Sequence, residues 1–421
     1  MSGPFEFEII PLSGATASEL ELEAAVGEFE TEFEIGELGE FEELEGGYPI
    51  GEFETESGFG EFHTGLGETE FGPGEFEAFE LEAPVAWEVG KTLPECPPKP
   101  QPVDCPRPGT QPTAIIDYFD FDRSDLKTGC HGLLIDEIVS RLIQSQSSSQ
   151  PIRSLLIAGH TDRVGNDDYN FELGRRRATA VLKRLCARLH EKKPGLARQI
   201  KFQLTTCGER QLRATSQLSR RVEVFLPAPP RPKGCPPFKE RIRLHLKILV
   251  WPTVSIPTML KSLRQVYEPA GFLIEVVSCE VLKLTTLEEL SIGCPDPAQR
   301  CHIMPCANSN LNAEHIALFG NRNNVGANEV AVYFVRQTDP GVLGICDHPP
   351  GRPGLVVTAD ATQWTLAHEL GHVVGLSHVL ITDRLMIDSS LGGTPAITNP
   401  PPDLVAAEIA TMTASDLTLS C

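Results

Sequence analysis

The stretch HELGHVVGLSH, from His368 to His378, constrains this chain more than any other, because it sets three imidazoles and a carboxylate within eleven consecutive positions. On a helix of about 3.6 residues per turn, His368 and His372 fall one turn apart on one face, and Glu369 leans toward the same point. One helix then brings two ligands and a base to one metal. Gly375 can take positive φ, so the helix can end there and the chain can swing His378 back toward the other two imidazoles. Three neutral imidazoles leave a fourth tetrahedral position for water, whose pKa falls toward ~7 on zinc, and Glu369 can take its proton as it attacks a peptide carbonyl. The expected cofactor is Zn2+ and the expected chemistry is hydrolysis. A bare HExxH arises by chance in many helices, whereas the added glycine and third histidine fix five identities.

Eight residues past the third histidine, Met386 stands in DRLMID. A methionine there is either core filler or a turn beneath the metal. The whole constellation resembles the metzincin peptidases, closest to their matrixin-like branch, over roughly the last 180 residues. The resemblance implies an α/β zinc peptidase domain over 238–421, with His368, His372 and His378 as ligands, Glu369 as general base and Met386 as the Met-turn. IRLHLKILV alternates like a half-buried strand, TMLKSLRQVYEPAGF reads as a helix, and LIEVVSCEV and NEVAVYFVR read as strands. GVLGIC, Gly341 to Cys346, resembles the family's edge strand, where Val342, Leu343, Gly344 and Ile345 would pair with an extended substrate; otherwise it is an ordinary sheet strand. Ile387 and Asp388 follow the methionine where some metzincins carry a tyrosine, so no tyrosine is assigned to the oxyanion.

A second set of motifs lies upstream. DYFDFDRSDL, IAGHTDRVGNDDYNFELGRRRATAV and SRRVEVFL occur in that order between Ile115 and Leu226. Periodicity predicts a strand over 115–121, a helix over 132–143, a strand over 155–159, a long helix over 170–189, and strands over 199–204 and 222–226. The motifs resemble the OmpA-type peptidoglycan-binding domain, which implies an α/β sandwich over 113–228. They also imply a partner, the diaminopimelate stem peptide of peptidoglycan. Recognising its zwitterionic end takes a carboxylate for the ammonium and a guanidinium for the carboxylate. By resemblance these are Asp162 and Arg177, supported by Asp120, Thr161, Asn170 and Arg221; a surface charge pair is the bland alternative. Gly174 stands where the family commonly has serine, and Ser219 where it has asparagine.

Charge separates the rest. Residues 1–95 hold 26 Glu, no Asp, one Lys and 11 of the 20 Phe, while the remainder carries 32 acids against 35 bases. Alternating Phe and Glu would split a strand into an aromatic and an anionic face, but neighbouring glutamates repel and glycines break each run. The leader is therefore expected to be low-complexity and disordered, whether as an export tag, a self-associating segment, a latency segment or a tail without a partner. Pro-rich spacers at 96–112 and 229–237 are expected to separate the folded parts, giving an α+β multidomain chain.

Twelve cysteines, seven from Cys235 onward, point to disulfides in an oxidising compartment, with Cys301 and Cys306 close enough for a local bridge. Cys235 could instead cap the metal as a thiolate. The first residues lack the basic and apolar runs of a Sec signal, and charge interrupts every apolar run short of ~20 residues, so no transmembrane segment is expected. No basic cluster interleaved with aromatics suggests nucleic acid. The expectation is a zinc endopeptidase targeted to the bacterial cell envelope, or secreted by a non-Sec route, acting on a protein or peptide. The competing readings are a peptidoglycan-binding envelope protein with a vestigial or self-processing peptidase, and an exported or injected protease toxin.

Overall fold

The computed structural model describes residues 101–227, 238–291, 311–339, 342–398 and 401–420. The acidic leader, the 229–237 spacer, Gly341 and the cysteines at 235, 301, 306 and 421 lie outside the described residues, with the expectations attached to them. The first half of the described chain runs β1 (Gln101–Pro102), β2 (Ala114–Ile116), α1 (Cys130–Ser145), β3 (Ser154–His160), α2 (Asp167–Lys192), β4 (Lys201–Gly208), α3 (Ser216–Ser219) and β5 (Val222–Phe225). The second runs β6 (Glu240–Ile248), α4 (Ile256–Tyr267), β7 (Phe272–Val281), β8 (Glu289–Ser291), α5 (Ala313–Leu318), β9 (Val330–Val335), β10 (Gln337–Asp339), β11 (Gly344–Ile345), β12 (Gly354–Thr358), α6 (Thr365–Val373), α7 (Ala406–Thr413) and β13 (Leu419–Ser420).

Local sequence explains the helices. Asn166 accepts the Tyr169 amide, Asp167 and Asp168 occupy the first turn of α2, and His190 and Lys192 its last, so both ends complement the helix dipole. Ser255 caps α4 in the same way, with a proline in its first turn. In α1, Leu134, Ile138 and Leu142 repeat at helical spacing and are fully buried. The strand expected over 115–121 stops after Ile116. Tyr118 and Asp122 take positive φ, 59° and 54°, which a strand cannot hold.

The two motif-bearing parts share one sheet. Its order is β1-β4-β3-β5-β2-β7-β6-β9-β12-β11, with β13 added to β6. β2 pairs antiparallel with β5 on one side and parallel with β7 on the other, at Ile115 and Ser278. One hydrophobic core continues under both parts, from Phe119 and Leu134 through Leu244 and Leu260 to Met386 and Met412. The Cys130–Cys279 disulfide, spanning 149 residues of sequence, fastens α1 to β7; Cys105–Cys207 ties the first spacer to β4. The described parts, expected to stand apart, thus fall within one compact unit.

β6 departs from its expected half-exposed pattern. Ile242, Leu244, Leu246 and Ile248 enter the core, and the alternate residues Arg243, His245 and Lys247 are also buried. Each finds a partner: Arg243 and His245 reach Glu329 at 2.7 and 2.8 Å, and Lys247 reaches Glu280 at 2.5 Å. A buried charge persists only when matched in this way.

Candidate functional site

α6 carries the histidine motif with its whole length buried. It ends as Gly375 takes φ 101°. The Leu376 amide donates to Gly371 O and the Gly375 amide to His372 O, each at 2.9 Å. These paired bonds form a Schellman turn, which sends the chain back so that His378 meets the other two imidazoles. His368 Nε2 lies 3.2 Å from the Nε2 of both His372 and His378, and the last two are 2.9 Å apart. Three nitrogens bound tetrahedrally to zinc at about 2.0–2.1 Å stand roughly 3.3 Å apart, so the donor set fits that ion.

The far side of each ring supports this use. His368 Nδ1 is 2.7 Å from Leu385 O and His372 Nδ1 is 2.8 Å from Leu376 O, while His378 Nδ1 faces Asp388 at 3.7 Å. A proton held at Nδ1 leaves the Nε2 lone pair directed at the shared point. Burial holds the His368 imidazole down to about 4, which keeps it neutral. His368, His372 and His378 are the cluster able to hold a metal ion among the described residues.

Met386 is fully buried below this point. Its carbonyl accepts the Val379 amide at 2.8 Å, and the Asp388 amide returns to Val379 O at 3.0 Å, so the methionine turn is laced to the segment carrying the third histidine. Glu369 borders a cleft of about 290 Å³ with the three histidines. Burial pushes its carboxyl up to about 8, and the Asp347 charge pushes the same way. Val342, Leu343, Gly344 and Ile345 line this cleft. Gly344 and Ile345 pair antiparallel with β12, and β11 ends the sheet. A β-carbon on Gly344 would fall 2.5 Å from Glu369 Cγ, so the absent side chain leaves room for the carboxylate.

The second set of motif residues gathers where β3 runs into α2. Asp162 is 4 % exposed, and its Oδ2 accepts Arg220 Nη1 at 2.8 Å. Arg177 is fully buried over the Phe119 ring. It donates to the carbonyls of Arg123, His160 and Asp120 at 2.9, 3.0 and 3.2 Å. Among the described residues, Thr161 Oγ1 and Asn170 Oδ1 are buried without a hydrogen-bond partner, a cost that a polar ligand would relieve. Asp120 lends Arg177 its carbonyl and turns its carboxylate outward to Lys127 at 2.8 Å.

Arg221 is not brought to these residues. It pairs with Glu223 at 2.7 Å and donates to Gln211 O at 3.0 Å. Arg220 stands in its place beside Asp162. Sequence reasoning chose the second arginine of SRRVE, although the alternation of an entering strand sends neighbours to opposite faces. Gly174, where serine is common, also has a local reason. A β-carbon there would fall on Thr206 Oγ1, where α2 crosses β3 and β4.

Residues 118–219 match the OmpA family and form an OmpA-like domain. No curated protein matches the chain. Among solved structures it is similar to the peptidoglycan-associated lipoprotein from Burkholderia pseudomallei, with 23% identity over 27% of this chain and 90% of that one, TM-score 0.22. It is similar to the cell wall anchor of the T6SS from Pseudomonas aeruginosa, with 20% identity over 27% and 80%, TM-score 0.20. It is also similar to metalloproteinase-II from Bacteroides fragilis, with 15% identity over 47% and 62%, TM-score 0.29. No helix among the described residues is long and apolar enough to cross a membrane.

Proposed function

We propose that this chain is a zinc-dependent endopeptidase of the metzincin type, held at the bacterial cell wall by its OmpA-like domain. The convergence of His368, His372 and His378 Nε2 within 2.9–3.2 Å of one another, in a cleft bordered by Glu369, carries this reading. Bound zinc would act as a Lewis acid, polarising a peptide carbonyl and acidifying water. The protein's own groups supply the rest. A bound cation beside Glu369 would favour its carboxylate form, which accepts a proton from the attacking water and passes it to the leaving amine. Main-chain groups of β11, at the end of the sheet, hold an extended peptide as an added strand. Packed against Glu369, Gly344 holds that strand and the base in register.

The OmpA-like domain supplies the address. The Asp162 carboxylate meets the ammonium of a diaminopimelate end, while Arg220 and Arg177 supply positive charge for its carboxylate. Peptidoglycan places the protein at the cell envelope or outside the cell.

The test compares zinc content and casein cleavage in wild type, His372→Ala and Glu369→Gln. Wild type is expected to hold one zinc per chain and cleave. His372→Ala should lose the metal, and Glu369→Gln should keep it while cleaving about 10²- to 10⁴-fold more slowly. Zinc-loaded wild type that cleaves no member of a broad peptide library overturns the reading, as does Glu369→Gln at full rate.

A further inference from the structure

The walls of the metal cleft carry a carboxylate that the hydrolytic chemistry does not use. Asp347 lies just past β11 and lines the cleft with Glu369 and the three histidines. It stands outside the group of metal-ligating atoms, so it is not a fourth ligand. No lysine or arginine lines the cleft among the described residues. Several buried acids elsewhere are matched with cations: Glu275 meets Arg141 at 3.0 Å, Glu280 meets Lys247 at 2.5 Å, and Glu329 meets Arg243 at 2.7 Å. Among the described residues Asp347 meets no such cation. Withdrawal from water raises its carboxyl to about 6, with no compensating contact, yet it remains largely ionised at neutral pH.

We infer that Asp347 selects substrates bearing an ammonium or guanidinium group beside the scissile bond. The inference rests on the peptidase reading and names the substrate class of that same cleft. A cation entering beside Asp347 gains a partly dehydrated ion pair, whereas an acidic side chain meets like charge. A neutral side chain of equal length gains no such pair. Selection therefore comes from charge at this wall as well as from the shape of the pocket.

The test uses the full chain and a peptide library in which arginine, or its neutral near-isostere citrulline, is placed in turn at each of several positions around the cleaved bond. At one position kcat/KM for arginine should exceed that for citrulline by roughly tenfold to a hundredfold, and Asp347→Asn should bring the ratio close to one. Asp347→Arg should reverse the preference toward glutamate. Binding is measured in parallel by fluorescence anisotropy of labelled peptides on zinc-loaded Glu369→Gln, with and without Asp347→Asn, so the preference is read without turnover. Equal handling of arginine and citrulline at every position, or a preference that survives Asp347→Asn, overturns the inference. Absence of cleavage by wild type defeats the peptidase reading, and the binding arm still decides whether Asp347 selects cations.

Discussion

Met386 Sδ lies 2.5 Å from the point where a β-carbon on Gly371 would stand, so the methionine turn closes directly on the backbone between the first two histidines. Gly371→Ala must push that sulfur away, and overpacking of this kind costs about 1–3 kcal/mol. Because Met386 is laced to Val379, displacement passes to His378. Gly371→Ala is expected to lower both the melting temperature and zinc affinity. Gly344→Ala, whose new methyl meets Glu369, should cut cleavage while zinc stays bound. Melting curves and competitive zinc titration check the first, and turnover of zinc-loaded protein the second. Unchanged zinc affinity in Gly371→Ala would remove the methionine turn from metal binding.

In the OmpA-like domain the two arginines of SRRVE should separate cleanly. Asp162→Asn and Arg220→Gln are expected to abolish co-sedimentation with peptidoglycan. Arg221→Gln should leave sedimentation intact but lower stability, since breaking a buried ion pair costs roughly 3–5 kcal/mol. Arg177 holds three backbone carbonyls, so Arg177→Lys is a gentler probe than alanine. Loss of wall binding in Arg221→Gln but not in Arg220→Gln would reverse the assignment.

The histidine cluster was legible because everything that makes it is local: a one-turn spacing, a glycine at the helix end, and a methionine eight residues on. The shared sheet was not. The pairing of Ile115 with Ser278 and of Cys130 with Cys279 joins positions far apart in the sequence, and neither residue announces its partner. β6 misled for a related reason. The alternation of Ile242, Arg243, Leu244 and His245 is what a strand with one wet face would show. The partners that bury the charged face, Glu280 and Glu329, come from β7 and the approach to β9. Arg220 was missed because a motif fixes residue types, while the strand's phase decides which neighbour faces Asp162.

Glu329 gives an acid-stability test. Burial alone would push its carboxyl up, but His245 and Arg243 outweigh that and hold it at about 2, against an ordinary 4.5. A depressed carboxyl contributes stability that is present above the unfolded value and lost as pH falls through the folded one. Its contribution is therefore expected to fade between about 4.5 and 2. Urea unfolding across that range should show Glu329→Gln less stable than wild type at neutral pH, with a shallower acid slope. Parallel slopes for the two proteins would show that the Glu329 carboxyl is not depressed.

The last prediction concerns the joint between the two halves. β2 meets β7 through a single registered pair, Ile115 with Ser278, too short a ladder to hold two domains in line. The surrounding links carry the joint: Cys130–Cys279, Arg141 to Glu275 at 3.0 Å, Arg264 to Glu137 at 2.5 Å, and the continuous apolar core beneath them. A disulfide closing so long a loop stabilises a fold by about 2–4 kcal/mol, largely by restricting the unfolded chain. Replacing both Cys130 and Cys279 by serine avoids a stray thiol. The double variant is expected to melt earlier and, with the halves less tightly coupled, to show two calorimetric transitions where wild type shows one. Zinc should persist in the second half, because His368, His372 and His378 lie in α6 and the segment after it, away from the joint. A single transition at the wild-type temperature would show that the core alone unites the halves and that the disulfide adds nothing measurable.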